Sequence, residues 1–179
     1  MKPAVFVTRP LALGAASHLG PDFDVSVNRH DKPLTQNQII EAAQGAWGLV
    51  TMLHDPIDAR LLDALPSLKV VANVAVGFNN IDVAACSERG IVVCNTPGVL
   101  TEATADLTWT LILACTRRVR EGEKLVRTGQ FDGWGPNLLL GLGLQNRTLG
   151  IFGLGRIGRA VARRAKAFGM EVILSLIHI

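Results

Sequence analysis

The residues with the clearest chemical potential are Gly153-Leu154-Gly155-Arg156-Ile157-Gly158. Their spacing, G-x-G-x-x-G, is the pattern with which a strand-to-helix turn receives a dinucleotide pyrophosphate. Gly153 permits the tight turn, Gly155 lets backbone approach the phosphates without a Cβ in the way, and Gly158 lets the helix lie close on the strand. The free N–H groups at the helix start, around Arg156 and Ile157, face the anion with help from the helix dipole. The context supports the motif: Leu149-Gly150-Ile151-Phe152 reads as a strand before it, and Arg156 to Phe168 as a helix after it. The alternative is an ordinary βα turn with incidental glycines. Gly141-Leu142-Gly143 imitates the pattern, but Asn146 takes the third glycine position and no strand precedes it. An acidic residue about 20 positions on would read the ribose 2′-OH. None is there, because beyond Glu171 the sequence is Val-Ile-Leu-Ser-Leu-Ile-His-Ile.

The elements that position this turn come from hydrophobic patterning. Strand-like runs are Ala4 to Thr8, Phe23 to Val27, Trp47 to Thr51, Leu68 to Val76 and Ile91 to Cys94. Helix-like stretches alternate with them: Leu11 to Leu19, Gln36 to Ala43 with Thr35 as cap, Asp58 to Leu65, and Ile81 to Arg89 closed by Gly90. Such alternation predicts parallel βαβ units in an open α/β sheet. Asn95-Thr96-Pro97-Gly98 is a turn cluster and a plausible boundary. A long helix should follow, with Thr101 as N-cap and Glu102 and Asp106 near its first turns. Leu107 to Cys115 is apolar nearly all round, which predicts a fully buried helix. Residues 128–143 are glycine-rich and irregular, and Met170 to Leu174 starts another strand.

Composition narrows the function class. The 179 residues are 49% hydrophobic and 18% charged, enough for a core and unlike a disordered chain. The longest stretch without a formal charge, residues 133–146, is shorter than the roughly 18–20 residues of a membrane span, and the N-terminal apolar run is too short for a signal peptide. Net charge is +3, yet the basic residues are scattered apart from Arg117, Arg118 and Arg120, which read as caps at a helix end. We therefore expect no membrane and no nucleic-acid partner. Cys86, Cys94 and Cys115 form no Cys-x-x-Cys pair and read as reduced, buried thiols of a cytoplasmic protein. No metal site is expected.

The chain resembles the D-isomer-specific 2-hydroxyacid dehydrogenases, most of all their glyoxylate/hydroxypyruvate reductase branch. The similarity covers residues 1–173. It rests on residues 74–82 (Val-Ala-Val-Gly-Phe-Asn-Asn-Ile-Asp), on Arg89-Gly90-Ile91 with Asn95 to Thr101, on Ala103-Thr104-Ala105-Asp106, and on Leu149 to Gly158. It implies a flavodoxin-like substrate domain over residues 1–98 and the start of a truncated Rossmann coenzyme domain, with its interdomain helix, over 99–173. It also implies reversible hydride transfer between NAD or NADP and a small 2-oxo or 2-hydroxy acid, and a homodimer using the helix near 101–118 and the arm bearing Trp134 and Leu138 to Leu140, for which ordinary core packing is the alternative. Sister activities, on phosphoglycerate or formate, and a nucleotide-sensing corepressor are the other readings.

The resemblance also assigns residues. Backbone amides in the loop matched by Val76 and Gly77 hold the substrate carboxylate; the plain alternative is a strand-ending turn. Thr104 matches a coenzyme contact, or is only part of the helix start. Gly153, Leu154, Gly155, Arg156, Ile157 and Gly158 bind the coenzyme. The family's catalytic Arg, Glu and His fall in a part absent here, so no catalytic residue is assigned and the fragment is expected to be inactive. His18, His30 and His54 match none of them; His54 lies on a loop that faces the cleft in the family. Residues 174–179 are what CTGTCTCTTATACACATC encodes, a string matching a transposon-end sequencing adapter. They are expected to be non-native, and the missing half of the family's chain is expected to leave an exposed, aggregation-prone sheet edge.

Overall fold

The structure is a computed structural model and describes residues 1–175. The chain divides into two compact units, Met1–Pro97 and Gly98–Ile179.

The first unit is a five-stranded sheet of β1 (Ala4–Val7), β2 (Asp24–Val27), β3 (Gly48–Thr51), β4 (Val70–Asn73) and β5 (Val92–Cys94). All neighbours are parallel and the order is β2-β1-β3-β4-β5, the flavodoxin-like arrangement. Helices α1 (Gln36–Ala42), α2 (Ala59–Ala64) and α3 (Val83–Glu88) connect the later strands. Their buried side chains, including Ile39, Leu61, Leu62, Ala85 and Cys86, form one core with Phe6, Leu49, Val71 and Ile91. The stretch between β1 and β2 is a 3-10 segment, Ala12–His18, in place of the expected longer helix.

Helix starts here are encoded locally. Thr35 and Gln38 form a capping box, with Gln38 N–H donating to Thr35 Oγ1 at 3.3 Å and Thr35 N–H to Gln38 Oε1 at 2.8 Å. Asp58 and Asp82 cap α2 and α3 by accepting from Leu61 and Ala85 N–H. The Gln36 side chain and the Leu61 amide hold the Asp58 carboxyl below its usual range. Gly90 closes α3 at φ +64°.

The second unit holds α4 (Thr101–Thr116), α5 (Val119–Arg127), β6 (Thr148–Phe152), α6 (Arg156–Ala165) and β7 (Glu171–Ser175). β6 and β7 pair in parallel, with Ile151 opposite Leu174 and Phe152 opposite Ser175. The last two residues of β7 thus fall within the expected non-native tail; residues 176–179, His178 among them, lie outside the described residues. The core is Ala105 and Trp109 of α4 against Ala160, Val161 and Ala165 of α6.

Four expectations are corrected. Leu107 to Cys115 is not fully buried: Leu107 is 58% and Leu111 57% exposed, because α4 buries only the stripe that meets α6. Thr101 does not cap α4, since the chain turns at Gly98 and Leu100 occupies the cap without a side-chain bond. Of the three arginines only Arg117 sits at a helix C-terminus, as the C-cap residue of α4. Arg118 takes φ +53° between two helices and pairs with Glu121 of α5, while Arg120 lies within α5. Only Cys86 is buried, and desolvation followed by the Asp82 charge pushes its thiol up; Cys94 and Cys115 are exposed.

Acidic residues at the start of α4 serve α6 as well as the helix dipole. Glu102 accepts from Arg163 and Arg164, and Asp106 from Arg164, all between 2.8 and 2.9 Å. Arg163, then Arg164, holds the Glu102 carboxyl below its ordinary range. With the folded value depressed, the stability this pairing gives is complete above the unfolded glutamate range and is lost as pH falls through it toward the folded value. Glu102→Gln should therefore flatten the acid limb of a stability-versus-pH curve. An acid limb identical to wild type would show that the pairing does not shape it.

Candidate functional site

The strand order reverses between β1 and β3, and the carboxyl ends of strands beside such a point are where open α/β sheets bind ligands. A polar network sits there under the β4–α3 loop. Thr51 Oγ1 donates to Asn73 Oδ1 at 3.0 Å, and Asn73 Nδ2 donates to Gly77 O at 2.9 Å. Asn80 Nδ2 donates to Met52 O at 3.1 Å and Asp55 O at 3.0 Å. Buried Asp55 accepts from Thr8 Oγ1 at 2.6 Å and from Met52 N–H at 2.7 Å, which ties β1 to the turn after β3. From β5's end, Asn95 Nδ2 donates to Val76 O at 2.8 Å.

This network corrects the expected strand. β4 stops at Asn73 instead of running to Val76, because side chains and the Thr96 amide capture the next carbonyls and take them out of the regular ladder. Gly77 is not in the left-handed region, and an added Cβ would meet only Leu53 Cδ2 at 3.9 Å. Neither conformation nor packing within the chain therefore demands glycine at 77. Among the described residues, the N–H groups of Val76 and Gly77 donate to no acceptor. His54 lies exposed nearby in sequence, outside the network.

In the second unit β6 runs directly into the glycine turn. Gly153 has φ +92°, a conformation other residues rarely adopt. A Cβ on Gly158 would lie 2.2 Å from Gly153 O and 3.6 Å from Ile151 Cγ2, so the helix and strand approach too closely for any side chain. Gly155 differs from both: its φ is −70° and nothing lies within 4 Å of where its Cβ would be. It is the N-cap of α6, no side chain caps that end, and the first turn has no acidic residue. Leu154 and Ile157 are half-buried, while Arg156 is exposed. Thr104 is half-buried in α4, and its hydroxyl makes no hydrogen bond among the described residues.

The apparent glycine decoy has its own explanation. A Cβ on Gly141 would fall 2.4 Å from Thr116 O, and Leu142 N–H donates to that same carbonyl at 2.8 Å. Gly141 is thus a packing residue that seats the arm on the end of α4. Trp134 on the arm is 85% exposed.

Sequence reasoning gave no role to Asn73, Asn80 and Asn95. A signal existed for Asn73: it is the one polar residue in the apolar run from Val70 to Val76. Among the described residues, no three metal-ligating side chains gather, and no helix is long and apolar enough to cross a membrane.

Comparison with known proteins agrees with this geometry. The chain is 47% identical over 174 residues to the glyoxylate reductase of Korarchaeum cryptofilum, covering 97% of this chain and 52% of that protein. It therefore spans about half the length of the curated relatives it matches. Among solved structures, a protein of Thermus thermophilus superposes with a TM-score of 0.92 at 46% identity, covering 98% of this chain and 58% of that one. The NADPH-dependent glyoxylate/hydroxypyruvate reductase of Sinorhizobium meliloti, solved with NADP and malonate, gives 0.81 at 33% identity, covering 99% and 55%. The model of the D-isomer specific 2-hydroxyacid dehydrogenase catalytic domain matches residues 5–173, nearly the whole length, and on that match the chain belongs to this dehydrogenase family.

Proposed function

We propose that this chain forms the first half of an NAD(P)H-dependent reductase that converts a small 2-oxo acid, glyoxylate or hydroxypyruvate, to the 2-hydroxy acid. Residues 1–98 serve as the substrate domain and residues 99–173 as the start of the coenzyme domain. The observation that carries the reading is Gly155. Gly153 is explained by its dihedral and Gly158 by its neighbours, but nothing among the described residues requires Gly155 to lack a side chain. A ligand that approaches the backbone from outside does.

A nicotinamide coenzyme, NAD or NADP, would supply the hydride in its reduced form, NADH or NADPH. Residues 153–158 hold its pyrophosphate through the uncapped N–H groups at the start of α6, around Arg156 and Ile157, while Leu154 and Ile157 pack the turn. Thr104 offers a free hydroxyl to the coenzyme. Val76 and Gly77 bind the substrate carboxylate through backbone N–H groups, and a carboxylate there accepts bonds that cost the protein no internal partner. Proton delivery to the developing alkoxide needs a group that titrates near neutral pH. We assign it to no residue of this chain. The exposed Leu107, Leu111 and Trp134 on α4 and the arm support a homodimer through that surface. The enzyme is proposed to be cytoplasmic.

The test is turnover. The full-length protein should oxidise NADH or NADPH with glyoxylate, and residues 1–179 alone should stay at background. Turnover by the 179-residue chain would overturn the assignment of the proton donor outside it. A full-length protein inert toward glyoxylate and hydroxypyruvate with either coenzyme would overturn the reductase reading.

A further inference from the structure

Three consecutive peptide groups after β4 are gripped by their carbonyls. Ala75 O accepts from Thr96 N–H at 2.8 Å, Val76 O from Asn95 Nδ2 at 2.8 Å, and Gly77 O from Asn73 Nδ2 at 2.9 Å. In a trans peptide the carbonyl and the following N–H point in opposite directions. Fixing these carbonyls therefore turns the N–H groups of Val76, Gly77 and Phe78 away from their three holders. Among the described residues, none of these N–H groups donates to an acceptor.

The orientation of the Asn73 amide is itself set. Its Oδ1 accepts from Thr51 Oγ1, so its Nδ2 is the end that faces Gly77 O. That Nδ2 also lies 3.2 Å from Asn80 Oδ1, and Asn80 is anchored by its own bonds to Met52 O and Asp55 O. Asn73 is buried, so reversing its amide would leave buried partners facing like atoms. Asn95 reaches the neighbouring carbonyl from another strand, 19 residues away in sequence.

We propose that Asn73 and Asn95 are positioning residues that aim a row of three N–H donors, at Val76, Gly77 and Phe78, toward one carboxylate, with Phe78 as the third donor. This rests on reading Val76 and Gly77 as the carboxylate site. The chemistry follows from the geometry. Each asparagine spends a side-chain donor on a backbone acceptor, and the loop thereby keeps consecutive backbone donors free as a small anion nest.

Asn73→Asp and Asn95→Asp each keep shape but replace the donor with an oxygen that repels the carbonyl. In the full-length protein, each should raise the KM for glyoxylate about tenfold while kcat and the KM for the coenzyme, NADH or NADPH, stay within about threefold, the pattern of lost ground-state binding. A merely structural role would move stability, kcat and coenzyme KM together. Asn73→Asp buries a charge and risks the fold, so Asn95→Asp, at a half-buried position, decides if the first variant is insoluble. An unchanged glyoxylate KM in the folded variants overturns the proposal. If the wild-type protein reduces neither glyoxylate nor hydroxypyruvate, the reductase reading falls and amide NMR of the 179-residue chain decides the positioning inference. Oxalate should then shift the amides of residues 76–78 in wild type but not in Asn95→Asp. No shift in wild type, or the same shift in both, overturns it.

Discussion

Replacing Gly158 with alanine should cost the protein its coenzyme affinity, by more than about 100-fold, or ~2.7 kcal/mol. The added Cβ would lie 2.2 Å from Gly153 O and 3.2 Å from Gly153 C, both backbone atoms that no rotamer can move aside. Either α6 must lift from β6 or the turn at Gly153 must open. Both displace the N–H groups proposed to meet the pyrophosphate. Overpacking of this kind costs roughly 1–3 kcal/mol of stability as well. Coenzyme titration by fluorescence, alongside a thermal melt, checks both effects. Gly155→Ala separates them: its Cβ meets nothing within 4 Å, so the melt should hold while coenzyme affinity falls. Wild-type affinity in a folded Gly158→Ala protein would end the account of the glycine turn.

Trp109→Ala should destabilise the second unit by about 3–5 kcal/mol, the range for truncating a buried aromatic. Trp109 is 4% exposed, stacks on Phe168 at 4.5 Å between ring centroids, and donates its indole N–H to Val161 O at 3.1 Å. One side chain thus joins α4 to α6 and to the 3-10 turn that follows. Trp109→Phe should keep most of the stack and lose only the donor. Val161 lies inside α6, where its carbonyl retains a helical partner, so that loss should be about 1 kcal/mol. Denaturant titration of both variants tests the ranking. Equal stability of Trp109→Ala and wild type would show that the α4–α6 contact is held by other groups.

The resemblance found in the sequence led to the right family, and the physical basis is visible in particular residues. Thr35 lies three residues from its partner Gln38, so a linear reading finds that cap; Asp58 and Asp82 use the same spacing, yet the linear reading counted them within their helices. Gly153 and Gly158 are legible in the same way, because their reasons for being glycine lie within the six residues of the motif or on the strand before it, whereas Gly155 has no such reason among the described residues.

What escaped the linear reading depends on distance along the chain. The apolar run from Leu107 to Cys115 says only that the helix is hydrophobic; which stripe is buried is decided by α6, about 50 residues later. Gly141 imitates a phosphate turn until Thr116 O is found against it. Asn73 and Asn95 reach carbonyls of the same loop because parallel β4 and β5 end side by side, and a side-chain amide in isolation does not declare which carbonyl it will hold. The sequence alone determined the parallel α/β class, the Thr35 cap and the glycine turn between a strand and a helix, since each is set by neighbours within a turn or two of backbone. Only the tertiary structure decided where α4 is bare and which carbonyls after β4 are captured, because hydrogen-bond partners and packing surfaces brought together from remote segments have no signature in local spacing.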